Sequence, residues 1–165
     1  MKLYRLTARQ HLPIGPEEAW AFLSDPRNLQ KITPEHMKFE ILSGADQPMY
    51  AGQIIQYTVV PLKGFRTRWV SEITHYEQGH YFVDEQRFGP YSLWHHKHFI
   101  YEEENGVRME DIVDYKLPLG PLGQLAQALF VKRQLTHVFR YRVQALEKAF
   151  GTLPGRTSEI TKNAK

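Results

Sequence analysis

From residue 37 to residue 116 apolar side chains recur at every second position, and then the period changes once, to that of a helix, and does not change back. Period two means strands and a period near 3.6 means helix. Strands gathered in one stretch and a long helix in another exclude an alternating α/β chain and require α+β packing. The runs are Phe39 and Ile41, closed by Ser43-Gly44; Ile55, Tyr57 and Val59 against Gln56 and Thr58; and Trp69, Ser71 and Ile73 against Arg68, Val70 and Glu72. Tyr81–Phe88 follows Gln78-Gly79, and the runs 95–102 and 107–116 are joined by Glu103-Glu104-Asn105-Gly106. Asn-Gly between two alternating runs marks a hairpin. The result is an antiparallel meander with one apolar face.

Ahead of the meander, residues 3–13 read as a first strand. Gly15-Pro16-Glu17-Glu18 opens a helix to Ser24, with Pro at the first helical position and carboxylates in the first turn. Asp25-Pro26 caps a second short helix to Ile32, and Thr33-Pro34-Glu35 starts a single turn. Two short helices in tandem suit a bracket across one end of a sheet.

After Leu117-Pro118-Leu119-Gly120, a helix runs from Pro121 to Phe150, roughly 45 Å at 1.5 Å per residue. Leu125, Ala128, Leu135, Phe139, Leu146 and Phe150 form its apolar stripe, and Gly151 stops it. That stripe must lie on the concave side of the twisted sheet, since nothing else can cover it. Residues 152–165 show no periodicity and read as a flexible C-terminal tail, leaving 1–151 as a single domain.

The 165 residues suffice for one domain that buries roughly 70% of its unfolded surface. Nine Tyr, nine Phe and three Trp must line either a large core or a pocket. There is no cysteine, which excludes disulfides, thiolate metal sites and thiol nucleophiles. No apolar leader or membrane-length run is present, so a cytoplasmic protein without stable membrane insertion is expected. The net charge of +3 is uneven: Lys132, Arg133, Arg140 and Arg142 lie on the long helix, and Arg156, Lys162 and Lys165 in the tail. No nucleic-acid motif accompanies these cations, and no nucleic-acid partner is expected. Gly-x-Ser-x-Gly and Gly-rich phosphate loops are absent too. Gly120-Pro121-Leu122-Gly123 reads as a strand-to-helix turn, and no cofactor is expected.

The element order over residues 3–150 resembles the START-related, birch-pollen-allergen-like helix-grip superfamily (SRPBCC). "PEEAWAFLSDPRNLQKITP" at 16–34 is similar to its opening helices. "WVSEI" at 69–73, "FVDEQRFGPYSLWHHKHF" at 82–99, "MEDIVDYKLPLGPLG" at 109–123 and "RQLTHVFRYR" at 133–142 are similar to one bacterial subfamily, that of polyketide cyclases, dehydrases and lipid-transport proteins. The resemblance implies a curved sheet of six to seven strands, two short helices and one long C-terminal helix around a cavity. It implies no particular reaction. In this fold the loop at Gly64-Phe65 would sit at the cavity mouth.

Strand parity decides which polar groups can meet inside. Arg108, Glu110, Asp114 and Lys116 form a charged outward face, so Met109, Asp111, Val113 and Tyr115 point inward. Arg68 and Glu72 outward put Trp69, Ser71 and Ile73 inward. Lys97 outward puts His96 and His98 inward, Trp94 with them, and His95 outward. On 81–88 the parity is ambiguous, and the family pattern favours Phe82, Asp84 and Gln86 inward. The candidate ligand-binding set is therefore Tyr57, Trp69, Ser71, Phe82, Asp84, Gln86, Trp94, His96, His98, Met109, Asp111 and Tyr115. Arg133 and His137, one turn apart on the helix, join it if they face the cavity, with a solvated basic face as the alternative.

Buried carboxylates need partners, and imidazoles can supply them. Four readings of His96, His98, Asp84 and Asp111 compete. They are the polar anchor of a cavity for a small hydrophobic or aromatic ligand; an acid–base pair for cyclisation, dehydration or hydrolysis; a His-x-His plus carboxylate metal site; or a structural network without a ligand. The first is favoured and the metal site is not expected. A protein-interaction module, as in some co-chaperone relatives, would show instead an apolar patch on the convex sheet face.

Overall fold

Alternation and turn chemistry set the strands. In the computed structural model, which describes residues 2–62 and 65–164, β1 (Tyr4–Leu12) leads into α1 (Pro16–Leu23), with Pro16 in its first turn. Two 3₁₀ helices follow, Pro26–Ile32 and Glu35–Met37. Asp25 caps the first of them, accepting from the Arg27 backbone N–H at 2.9 Å. The meander is β2 (Glu40–Ser43), β3 (Ile54–Leu62), β4 (Phe65–Glu77), β5 (Tyr81–Phe88), β6 (Leu93–Glu103) and β7 (Gly106–Lys116). Gly64 of the expected mouth loop lies outside the described residues, while Phe65 opens β4 and is exposed.

The hairpin turn before β7 needs both its residues. Asn105 takes a positive φ of 67°, and a Cβ at Gly106 would collide with the Leu12 carbonyl oxygen of the neighbouring strand. Gly106→Ala should therefore lower the unfolding free energy by about 1–3 kcal/mol, as overpacking does. Urea unfolding measures this, and an unchanged midpoint would show that β1 does not approach this turn.

After β7 the chain forms α2 (Gly120–Ala126), a π turn at Gln127–Val131, and α3 (Lys132–Phe150), continuous from 120 to 150. Gly151 ends it at φ 91°. The π turn corrects the expected stripe. One extra residue per turn rotates everything before it around the axis. The stripe holds from Leu135 through Phe139 to Leu146. Before and within the π turn, however, Gly123 and Gln127 are the buried residues, and Leu125 and Ala128 face outward.

The sheet order is β2-β3-β4-β5-β6-β7-β1-β8, antiparallel throughout. The eighth strand, β8 (Glu159–Ala164), corrects the reading of residues 152–165 as lacking structure. The outer edge of β1 offers unpaired backbone groups, Glu159–Ala164 pairs with Arg9–Tyr4, and Ile160 packs against the core around Leu6.

The concave face holds the core. Leu12, Val107, Met109 and Leu146 pack with Ala19 of α1, and Leu6, Val113, Tyr115, Leu135 and Phe139 form a second cluster. Burying each such side chain contributes roughly 1.5–3 kcal/mol. The convex face of β1, β6 and β7 is crossed by ion pairs. Arg5 Nε donates to Asp114 at 2.7 Å, Arg9 Nε to Glu110 at 2.7 Å, and Arg108 reaches both Glu103 and Glu110. Glu110 and Asp114, expected to point to water, are buried beneath these partners. Among the described residues no helix is long and apolar enough to cross a membrane.

Candidate functional site

Between the concave sheet and α3 lies a cavity of about 200 Å³. Phe22, Leu29 and Ile32 close one side, and Phe39, Ile55, Tyr57 and Trp69 form the floor. Leu135, Val138 and Phe139 come from the helix. Aromatic rings meet edge and face along the wall: Trp69–Trp94 at 5.2 Å, Tyr57–Trp69 at 5.9 Å and Phe39–Tyr57 at 4.9 Å between centroids. Trp69 Nε1–H donates to Ser71 Oγ at 3.1 Å, and Tyr57 Oη lies 3.3 Å from the same oxygen. Burial, with Asp84 nearby, pushes the Tyr57 hydroxyl far up, so it stays protonated.

One end of the cavity is polar. Pairing of β5, β6 and β7 sets Asp84 opposite His96 and His98 opposite Asp111, so four side chains from three strands converge. His96 Nε2 lies 2.9 Å from Asp111 Oδ1. His98 Nε2 lies 2.7 Å from Asp84 Oδ2, and its Nδ1 lies 3.0 Å from Asp111 Oδ1. The two imidazoles are 3.7 Å apart, and Phe82 stacks on His98 at 4.0 Å. From α3, Arg142 brings Nη2 to 3.4 Å from Asp111 Oδ1. It also comes within 3.5 Å of His98 Nδ1. A lone pair on that nitrogen would suit the guanidinium and a proton would suit the carboxylate. The carboxylate contact is shorter, and two carboxylates around one ring favour the protonated ring.

The charges sort accordingly. Burial raises the Asp84 carboxyl, but the His98 hydrogen bond and the cations around it bring it below its ordinary value. Burial opposes Asp111 likewise, and Arg142 with both histidines holds it well below. His98 is lowered by burial and raised further by Asp111 and Asp84, ending above its ordinary value. His96 goes the other way: burial and the neighbouring His98 push it down to about 4. Two carboxylates are thus balanced by His98 and Arg142, and His96 is neutral. The tautomer that fits donates from Nε2 to Asp111. Its Nδ1, 3.5 Å from Asp84 Oδ2, is then the unprotonated nitrogen.

Asp84, His96 and His98 also place three potential ligand atoms within 4.8 Å of one another. The short N–H···O contacts already hold protons where an ion would sit, and Arg142 adds a positive charge beside them. An ion would have to displace those protons against that charge.

Of the sequence candidates, Tyr57, Trp69, Ser71, Phe82, Asp84, Trp94, His96 and His98 line the cavity. Asp111 stands behind the histidines and orients them. His95 points outward to Glu85, as parity requires. The other candidates are placed elsewhere. Gln86 locks the β5–β6 turn, donating to the Tyr91 carbonyl at 2.6 Å. Met109 and Tyr115 belong to the core clusters, with Gln127 donating to the Tyr115 hydroxyl at 2.7 Å. Arg133 and His137 are exposed, and the His137 ring lies tilted against that of His36 instead. On this helix Gln134 and Arg142 face the cavity, and Arg133 and His137 do not. Arg142 was nevertheless legible: it falls at helical spacing on the stripe Leu135, Phe139, Leu146.

Comparison with known proteins supports the same architecture. The family model described as polyketide cyclase / dehydrase and lipid transport matches residues 4–151. No curated protein sequence matches the chain. Among solved structures, a Thermus thermophilus protein aligns with a TM-score of 0.69 at 18% identity, covering 87% of this chain and 94% of its own. The Zhui aromatase/cyclase of Streptomyces sp. R1128 gives 0.70 at 12% identity, covering 89% and 93%. A major latex-like protein of Panax ginseng gives 0.66 at 9% identity, covering 90% and 97%. These identities speak for the helix-grip fold alone; the family match over nearly the whole domain says more, and by it the chain belongs to the polyketide cyclase/dehydrase and lipid transport family.

Proposed function

We propose that the chain binds a small, mostly aromatic molecule in this cavity and anchors the molecule's hydroxyl on His96. The observation that carries the reading is an apolar, ring-lined cavity with the buried His96 at its polar end, where burial and His98 favour the neutral imidazole. Ligand pockets combine apolar walls with few polar groups in this way. Because the carboxylates are already neutralised by His98 and Arg142, the site suits an uncharged hydroxyl donor better than an ion.

The test is calorimetric titration with 2-naphthol and with 2-methoxynaphthalene, which has similar rings but no donor. The wild type should bind 2-naphthol more tightly by up to roughly ten-fold, the worth of one hydrogen bond. Ser71→Trp, which fills the cavity, should abolish both. Absence of binding, or binding untouched by Ser71→Trp, would overturn the reading.

A second reading, cyclisation or dehydration of a bound polyketide-like substrate, rests on the same imidazole. His96 Nδ1 would accept an acidic substrate proton, Asp111 would steady the resulting imidazolium, and the proton would return to the leaving hydroxyl. On a substrate that turns over, His96→Ala should cost about 10²–10⁴ in kcat. Full activity in that variant would remove the reading.

A further inference from the structure

One end of the sheet differs from the rest of the surface. Because all strands are antiparallel, the end of β3, the start of β4, the β5–β6 turn, the β7–α2 connection and the outer ends of β1 and β8 share that end. Phe65 opens β4 and Phe88 closes β5 there. Leu119 follows at the helix N-cap, and Leu122, Leu125, Leu129 and Phe130 on the helix itself. Among the described residues, these are all the large apolar side chains that are more than half exposed. The helix before and within the π turn is inverted, burying Gly123 and Gln127 while its leucines face outward. This stretch also lies against the ends of β1 and β8, since Lys2, Tyr4, Lys162, Gln124, Gln127 and Lys132 line one cleft.

The charge at this end is mostly positive, with Glu35 just before β2 an exposed carboxylate there. No Asp or Glu lies between Asp46 and Glu72, between Glu85 and Glu102, or between Asp114 and Glu147, the spans that contain the three connections. Glu40 and Asp114, on strands leading to this end, are engaged by Arg66 and Arg5. Lys162 is lowered by burial and by the charges of Lys132 and Arg140, as expected where cations crowd without carboxylates between them.

We infer that this end of the molecule docks reversibly on an anionic lipid bilayer. Leu122, Leu125, Leu129 and Phe130 enter the headgroup–acyl boundary, and Lys2, Lys116 and Lys132 meet the headgroup phosphates. An apolar helical face flanked by cations is what such an interface takes. A second copy of the chain fits less well, because pairing the face with itself would set the same lysines against each other. The inference goes beyond ligand binding and does not depend on it, since docking is read without any cavity ligand.

Flotation of the full chain with vesicles tests it, comparing phosphatidylcholine alone with phosphatidylcholine mixed with phosphatidylglycerol. The wild type should float with the mixed vesicles and not with phosphatidylcholine alone, and added salt should release it. Leu122→Glu/Leu129→Glu should weaken partitioning by at least about ten-fold. Lys132→Glu, at an exposed position that leaves the core intact, should weaken it by roughly five-fold or more. Wild type that floats with neither vesicle, or equally with both, overturns the inference. So does unchanged partitioning of both variants, or a dimer in sedimentation that Leu129→Glu dissociates, which would assign the face to a second copy.

Discussion

Asp111→Ala is expected to lower the unfolding free energy by about 3–5 kcal/mol, the cost of leaving buried charge without its partner. Asp111 Oδ1 alone receives His96 at 2.9 Å, His98 at 3.0 Å and Arg142 at 3.4 Å, all on buried side chains. Its loss strands Arg142 and a protonated His98 with only Asp84 to balance them. For a domain of this size the fall in Tm is roughly 10 °C. Urea unfolding of Asp111→Ala, Arg142→Leu and the double variant forms a cycle. The double variant should lose less than the sum of the singles, because removing both members removes the stranded charge as well. Strict additivity would mean that Arg142 and Asp111 do not interact.

The second large effect is on acidification. His96 is held at about 4 in the fold, against about 6.5 in an unfolded chain. The unfolded state therefore binds the proton first, and stability is lost as pH falls. His96 contributes fully above pH 6.5, loses roughly 2 kcal/mol between pH 7 and pH 5, and has little more to lose near pH 4. Asp84 and Asp111, both depressed, act in the same direction at lower pH. Their contribution is present above the ordinary carboxylate range and disappears as pH falls through their folded values. His98, raised, acts in the opposite sense. Its stabilisation is present below pH 6.5 and is lost as pH rises through its folded value. Stability should therefore peak just above pH 6.5 and fall on the acid side. His96→Gln, compared with wild type by urea midpoints at pH 7 and pH 5, should flatten that fall. An equal fall in both proteins would place the acid sensitivity elsewhere.

The strands were far more legible than the helix. On a strand each residue's face follows from its parity, so a few outward-facing charges (Lys97, Arg108, Glu110) fix where His96, His98 and Asp111 point. The observed pairing of β5, β6 and β7 agrees. On the helix a face can be read only while the turn count holds. The π turn at Gln127–Val131 inserts its extra residue, which turned Leu125 and Ala128 outward. Arg133 and His137 lie one residue off the buried stripe, whereas Arg142 lies on it beneath Asp111. Basic residues on a long helix look alike in sequence, and only the apolar spacing around Arg142 set it apart. β8 was hidden for another reason. Glu159–Ala164 has little apolar content of its own, and it becomes a strand because β1 presents an open edge beside it.

Nitrogen NMR of the histidine side chains at pH 7, recorded with and without 2-naphthol, tests the proposed anchor most directly. The expected result is a neutral His96 protonated only at Nε2, a His98 protonated at both nitrogens, and a ligand-induced shift confined to His96 Nδ1. Two neutral imidazoles, with neither moved by the ligand, would contradict both the charge assignment and the anchor.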